Sequence, residues 1–356
     1  MTVTYHAGRR IQGLDSDRTG TQLPLGSVGG WVELGRTTLG SAGDNIDVTG
    51  LSDKRYYMVL ADAQLDGAAM DMQFRLNGDT GSNYSSRYSS NGGSDGTTTS
   101  GSSLVVNSPD DSSDKFIVGY LANRSANEKL GIWHSADTNA AGATNAPNRR
   151  EAVNKHAQTS NPISSILGFN AQSGSYATGS ECVVLGWDPA DTHTNNFWEE
   201  LDEVTASGSP STLDTNTFTA KKYLWIQMFT DNNGAGYADW RIRFNSDTGS
   251  NYSMRQSSNG GTDGTFTSLG YFGSYIQSTG NTFWNAFIIN NQSNEKLVLG
   301  HTMGNDTAGA TDAGNRIEFA AKWANTSSQI TQMNIYRDSG TGTFGDNTII
   351  KVWGAD

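Results

Sequence analysis

The stretch RLNGDTGSNYS, residues 75–85, returns as RFNSDTGSNYS at residues 243–253, and this repeat decides the architecture of the chain. Further matches keep an offset of 167–168 residues: NEKL at 127–130 and 294–297, AGAT at 141–144 and 308–311. An offset of this size is that of a whole domain, far above the ~20–50 residues of a solenoid repeat. The sequence therefore predicts an extended N-terminal arm (1–30), a first module (31–190) and a homologous second module (191–356).

The composition favours an all-β fold. Of 356 residues, 42 are Gly and only 17% are charged, against usual shares of ~7% and ~25%. Apolar, β-rich runs such as Tyr56–Leu60 and Tyr223–Phe229 are separated by clusters of Gly, Asn, Asp and Ser. We predict two tandem β-sandwich modules that are jelly-roll-like, with a single helical turn around Arg150–His156.

Several classes of protein are not expected. No apolar run approaches the ~20 residues of a membrane helix, and the start MTVTYHAGRRIQG lacks the apolar region of a signal peptide. Cys182 is the single cysteine, which excludes a disulfide framework within one chain. A net charge of −12 opposes binding to a phosphate backbone. We therefore expect neither membrane insertion nor a nucleic-acid partner.

The N-terminal arm has few apolar side chains and several Gly and Pro breakers. A segment of this kind is expected to be disordered alone and to become ordered against neighbouring subunits. Its candidate anchoring residues are Arg9, Arg10, Ile11 and Leu14.

The repeated DTGSNY segment predicts a hairpin turn, because Asn and Asp tolerate the left-handed region and Gly supplies a positive φ. The alternative is a Ca²⁺ site with Asp79 and Asn83, or Asp247 and Asn251, as oxygen ligands. The spacing does not match an EF-hand, so the turn is the preferred interpretation. No other cofactor or metal site is predicted.

No catalytic set is apparent. His134 and His301 lie at equivalent positions without a nucleophile motif nearby. Glu128/Glu295 and Glu151/Glu318 recur beside Lys or Arg, which predicts ion pairs rather than the carboxylate pair of a glycosidase. We expect no enzyme. If the chain binds a glycan, the candidate stacking residues are Tyr84, Tyr88, Tyr252 and Trp240.

The repeated Arg-x-Asn-x-Asp-Thr-Gly-Ser-Asn-Tyr motif is followed in each module by a closing strand, residues 174–186 and 342–354. This combination resembles β-sandwich modules in tail, fibre and capsid-decoration proteins of tailed viruses. The resemblance covers both modules and implies a structural role in a virion, with no active site to carry over.

Three hypotheses follow. The first is a virion structural protein, in a capsid, decoration layer or tail, that assembles with copies of itself and other virion proteins through the arm and sandwich contacts. The second is a receptor- or carbohydrate-binding fibre or surface module that contacts a host glycan or receptor. The third is a subunit of a cell-surface filament or sheath. The expected location is the virion, with synthesis in the host cytoplasm; the alternative is an extracellular surface.

Overall fold

The computed structural model of the chain describes residues 30–107, 112–189, 191, 196–233, 236–273, 280–305, 310 and 313–356. The predicted anchoring residues of the arm, Arg9, Arg10, Ile11 and Leu14, lie outside the described residues. Every regular element in the described part is a β-strand, which confirms the predicted all-β fold class. No helix there is long and apolar enough to cross a membrane.

Module 1 pairs a large antiparallel sheet with a smaller one. The eight-stranded sheet has the order β1-β14-β3-β9-β10-β11-β6-β7, and the four-stranded sheet has the order β2-β12-β5-β8. A two-stranded ribbon, β13-β4, lies beside them. The described strands are β1 (Val32–Thr38), β2 (Asn45–Thr49), β3 (Tyr56–Ala63), β4 (Leu65–Asp66), β5 (Met72–Leu76), β6 (Tyr84–Ser90), β7 (Gly96–Gly101), β8 (Leu104–Val105), β9 (Lys115–Ala122), β10 (Lys129–Asp137), β11 (Asn148–His156), β12 (Ser165–Asn170), β13 (Ser175–Tyr176) and β14 (Glu181–Trp187).

Module 2 repeats this arrangement. Its eight-stranded sheet, β15-β25-β17-β21-β22-β23-β19-β20, matches the large sheet of module 1 strand for strand, and its three-stranded sheet, β16-β24-β18, matches β2-β12-β5. The described strands are β15 (Glu199–Thr205), β16 (Thr212–Asp214), β17 (Tyr223–Thr230), β18 (Ala238–Phe244), β19 (Tyr252–Ser258), β20 (Gly264–Leu269), β21 (Thr282–Ile289), β22 (Lys296–Gly304), β23 (Asn315–Trp323), β24 (Met333–Gly340) and β25 (Ile349–Ala355).

The predicted helical turn at Arg150–His156 is wrong, because these residues belong to β11. This strand pairs along its length with β10 on one side and with β6 on the other. Ala152, Asn154 and His156 are buried, whereas Val153 and Lys155 between them are exposed. This period of two is that of a strand with one covered face.

Each module has its own core between its two sheets, and a third core joins the modules. In β3, Tyr57, Val59 and Ala61 point into the core of module 1, whereas Met58 and Leu60 point to the other side of the sheet. There they pack with side chains of module 2 in one cluster, which we call the intermodule core. Both faces of the large sheet are therefore covered at this end, which explains the nearly continuous apolar sequence of β3.

Candidate interaction surface

The two modules are in close contact over one part of their interface, which we call the docked half. It begins where the start of β9 meets the start of β17. The rings of Phe116 and Tyr223 lie 6.4 Å apart, and the Tyr223 hydroxyl donates a 2.9 Å hydrogen bond to the Glu181 carboxylate. The Lys222 ammonium lies 3.2 Å from the carboxylates of both Asp62 and Glu181. Burial raises the pKa of Asp62, and the Lys222 ammonium opposes that rise. Asp62 and Glu181 of module 1 thus both pair with Lys222 of module 2 at this end.

The loop 138–147 of module 1 extends the docked half. The Lys322 ammonium, whose side chain is fully buried, donates to the carbonyls of Thr138 (2.9 Å) and Ala140 (2.6 Å). The Glu295 carboxylate lies 3.2 Å from Lys322 Nζ and accepts a 2.6 Å bond from the Gly142 amide. The loop therefore binds module 2 mainly through its backbone, which fits its Ala- and Gly-rich sequence.

Residues that are equivalent by duplication meet each other at the interface. The rings of His134 and His301 contact edge to face, with centroids 4.6 Å apart. The Phe197 amide also donates a 2.8 Å hydrogen bond to the carbonyl of Trp31. Trp31 is the module 1 equivalent of Trp198, the residue that follows Phe197. Contacts between equivalent positions are the mark of a twofold relation. Together with the contacts of β10 with β22 and of β11 with β23, the histidine contact indicates an approximate twofold arrangement of the modules, with its pseudo-twofold axis near the two histidines.

The twofold relation is not exact, and part of each large sheet stays uncovered. Six of the seven large hydrophobic side chains that are exposed in the described residues lie there, each 40–54% exposed. We call them the uncovered half: Tyr56, Leu130, Ile132 and Val153 of module 1, with Phe283 and Met303 of module 2. Their equivalents in the docked half are all buried: Tyr223, Leu297, Leu299, Ala320, Phe116 and Ala136. The same positions are therefore covered on one side of the axis and open on the other.

Two grooves follow the uncovered half on module 1. One has a volume of about 400 Å³ and an aromatic rim, where Tyr56 stacks on Trp187 with centroids 5.6 Å apart and Trp31 faces Tyr120. The other, about 510 Å³, is lined by Leu130, Ile132 and Val153 between the charged side chains of Arg87 and Lys155. An apolar patch with a polar rim is typical of an interaction surface.

Three of the four predicted glycan-stacking residues are core residues, so that prediction is wrong for them. Tyr84, Tyr252 and Trp240 are at most 1% exposed. The first two close the hairpin, since their hydroxyls bond the backbone at residues 76 and 244. Tyr88 is half-buried beneath the Arg150 guanidinium, which lies 4.5 Å from its ring centroid. None of the four lies on the uncovered half.

The repeated DTGSNY loop is held by hydrogen bonds within the protein. Asp79 accepts bonds from the Gly81 amide, the Asn83 side-chain amide and the His156 ring, each at 2.8 Å. Asp247 likewise accepts from Gly249 and Asn251, and the Trp323 indole takes the place of the histidine. In both copies the amide nitrogen of the Asn side chain faces the Asp carboxylate. The described contacts thus match the turn interpretation, and the Ca²⁺ alternative has no oxygen from Asn83 or Asn251 beside the carboxylate.

The predicted ion pairing of the repeated glutamates is present. Glu128 lies 3.3 Å from Lys155 on the exposed surface, and the equivalent pair of Glu295 and Lys322 is buried in the docked half. Arg149 bonds to the Glu151 carboxylate, and its Nη2 lies 2.7 Å from Asp263 of module 2. The same motif therefore serves as a solvated ion pair in one module and as an interface contact in the other.

Sequence reasoning missed one cluster on the pseudo-twofold axis, which we call the axis cluster: His134, Glu151 and His301. Its possible ligand atoms all lie within 4.8 Å of one another, beside a cavity of about 60 Å³. Burial lowers the pKa of His134 to about 3, and the neighbouring His301 and Arg149 act in the same direction. Burial also lowers the pKa of His301. Both imidazoles are thus neutral at pH 7. The sequence indicated this cluster only through the recurrence of His134 and Glu151 as His301 and Glu318 at the repeat offset.

No family model matches the chain, and no curated protein matches it. Among solved structures, it is similar to domains LG4–5 of the mouse laminin α1 chain, with a TM-score of 0.20 and 7% identity over 93% of this chain and 92% of that chain. It is also similar to Neisserial surface protein A, with a TM-score of 0.10 and 9% identity over 79% of this chain and 96% of that chain. At these TM-scores neither likeness bears on the function of the chain.

Proposed function

We propose that the protein is a non-enzymatic structural subunit of a virion that docks onto neighbouring subunits through its uncovered half. The observation that carries this proposal is the burial contrast between equivalent residues. Leu297 and Leu299 are at most 6% exposed in the docked half, whereas Leu130 and Ile132 are each 54% exposed. Chains of this size bury most such side chains, and contiguous exposed ones mark contact sites. The viral setting is supported by the motif resemblance.

The arm is the second element of the proposed assembly. It ends at Gly30, whose amide bonds to Asn196, and continues into Trp31 at the rim of the aromatic groove. A chain that leaves at this point starts next to the uncovered half of module 1. The proposed assembly therefore uses two contact regions, the arm and the uncovered half, on a body that three hydrophobic cores hold together.

Immunogold electron microscopy of particles from the native source tests the location. Label on a shell, decoration layer or tail supports the proposal, and label on cell-attached filaments contradicts the viral part of it. The contact surface is tested with the double variant Ile132→Glu/Phe283→Glu, which should fold normally and fail to enter particles. Thr49→Glu is the matched control, because Thr49 is exposed on β2, in the small sheet of module 1 away from the module interface. Equal incorporation of the double variant and the control would refute the role of the uncovered half.

A second candidate function, glycan binding on a fibre or surface module, is favoured by the aromatic groove. Trp31, Tyr56 and Trp187 present ring faces around a depression of about 400 Å³, the kind of surface on which sugar rings stack. The alternative is tested on a glycan array with the wild type and with Tyr56→Ala and Trp187→Ala. Binding that both substitutions abolish supports it. If binding survives both substitutions, the glycan binds elsewhere on the protein. If the wild type binds no glycan, the alternative is rejected.

A further inference from the structure

The axis cluster places two half-buried imidazoles against each other without a hydrogen bond between them. Among the described residues no hydrogen bond reaches the imidazole of His134 or His301, and the two rings contact each other edge to face. Each ring thus has nitrogen atoms that bond to no described residue and are available to a ligand. The cavity of about 60 Å³ beside them is large enough for an ion with a bound water.

The chemistry of the cluster matches one class of occupant. Two imidazoles and one carboxylate form a His₂Glu donor set, which suits Zn²⁺ and related transition metals rather than Ca²⁺ or Mg²⁺. Three atoms that lie mutually within 4.8 Å share a point no more than about 2.8 Å from each, since 4.8 Å divided by √3 is 2.8 Å. Zn–N and Zn–O bonds are ~2.0–2.2 Å. Side-chain adjustments of at most about 0.6–0.8 Å per ligand would therefore close the site.

The surroundings of Glu151 also fit a ligand carboxylate. Arg149 holds it by a hydrogen bond, as the outer partners of metal ligands do. The Glu318 carboxyl of module 2 lies close by, with its Oε2 3.7 Å from Nη1 of the same Arg149. A divalent cation would relieve the crowding of these two carboxyls. We propose that His134, Glu151 and His301 bind one transition-metal ion, with Zn²⁺ the best fit, and that the ion links module 1 to module 2.

The proposal is tested on the full chain after removal of metal with EDTA. Isothermal titration with Zn²⁺ should give one ion per chain, and Co²⁺ should give the visible absorption of a tetrahedral or five-coordinate site. His134→Ala and His301→Ala should each weaken binding more than the ~10–100-fold that is typical for loss of an outer-shell partner. Because the ligands come from both modules, Zn²⁺ should also raise the melting temperature of the wild type and leave that of His301→Ala unchanged.

The matched control is the double variant His6→Ala/His193→Ala, which removes the two histidines that lie outside the described residues. It should bind Zn²⁺ as the wild type does. The proposal is overturned if the wild type binds no Zn²⁺ at 100-fold excess over micromolar protein, if the control loses binding, or if both His134→Ala and His301→Ala retain it. Should His134→Ala fail to match the circular dichroism of the metal-free wild type, His301→Ala and Glu151→Gln decide the outcome.

Discussion

Two leucines that are equivalent by duplication provide a direct test of the module interface. Leu297 is 1% exposed in the intermodule core, and its counterpart Leu130 is 54% exposed on the uncovered half. Truncation to Ala removes three carbon atoms, at ~0.8 kcal/mol each, for a transfer cost of about 2.4 kcal/mol. A residual cavity of about 40 Å³ adds roughly 1 kcal/mol at 24 cal/mol per Å³. We therefore expect Leu297→Ala to lower the free energy of unfolding by about 3 kcal/mol, and Leu130→Ala to change it by less than about 0.5 kcal/mol.

Urea unfolding followed by tryptophan fluorescence measures both values, with the midpoint and the slope fitted separately for each transition. If the modules unfold in two steps, the loss in Leu297→Ala should appear in the step that separates them. The contrast between the variants is the informative quantity, because the residue types and the local strand positions are the same. Equal, small effects for Leu297→Ala and Leu130→Ala would refute the docked arrangement of the modules. Equal, large effects would show that the uncovered half is covered in solution.

Three further results are expected. Lys322→Met leaves the buried Glu295 carboxylate without its cation and should cost about 3 kcal/mol of unfolding free energy, whereas Lys155→Met, at the exposed equivalent, should be nearly neutral in the same urea titration. The hydrogen bond from His156 lowers the pKa of Asp79 in the folded protein. The ionised Asp79 therefore stabilises the fold above the ordinary Asp pKa of ~4, and this stabilisation is lost as the pH falls through the lower pKa of the folded state. Asp79→Asn should therefore flatten the acid limb of stability against pH. Burial raises the pKa of the Cys182 thiol, so iodoacetamide should label it only as fast as the protein unfolds.

The all-β fold class and the division into two modules could be predicted because both follow from local sequence patterns. The duplication is a matter of identity at a fixed offset, and apolar runs between Gly- and Asn-rich turns identify strands. The error at Arg150–His156 has a physical reason. Most side chains there are charged or polar, and a strand whose inward positions are Ala152, Asn154 and His156 lacks the β-branched pattern on which strand prediction depends.

The aromatic residues show where local patterns mislead. Tyr84 and Tyr252 follow a polar turn, which suggested exposed loop rings. Each in fact begins a strand with its ring directed inward, and its hydroxyl is satisfied by the backbone of the preceding strand. A tyrosine that closes a hairpin in this way and one that stacks on a ligand have the same sequence context. Only the direction of the side chain distinguishes them, and that is fixed by the register with β11 and β23.

The interface lies beyond the reach of sequence for a different reason. Leu130 and Leu297, or Lys155 and Lys322, are identical residues in matching motifs, so no property of either module alone states which copy is buried. Which copy is buried depends on how the two modules pack, because their large sheets are in contact on one side of the pseudo-twofold axis and apart on the other. The axis cluster has the same origin, since each module supplies one His and the first module supplies the carboxylate. A donor set of this kind arises when duplication places equivalent residues on a symmetry axis, so axes between duplicated modules are the first places to look for sites that neither module holds by itself.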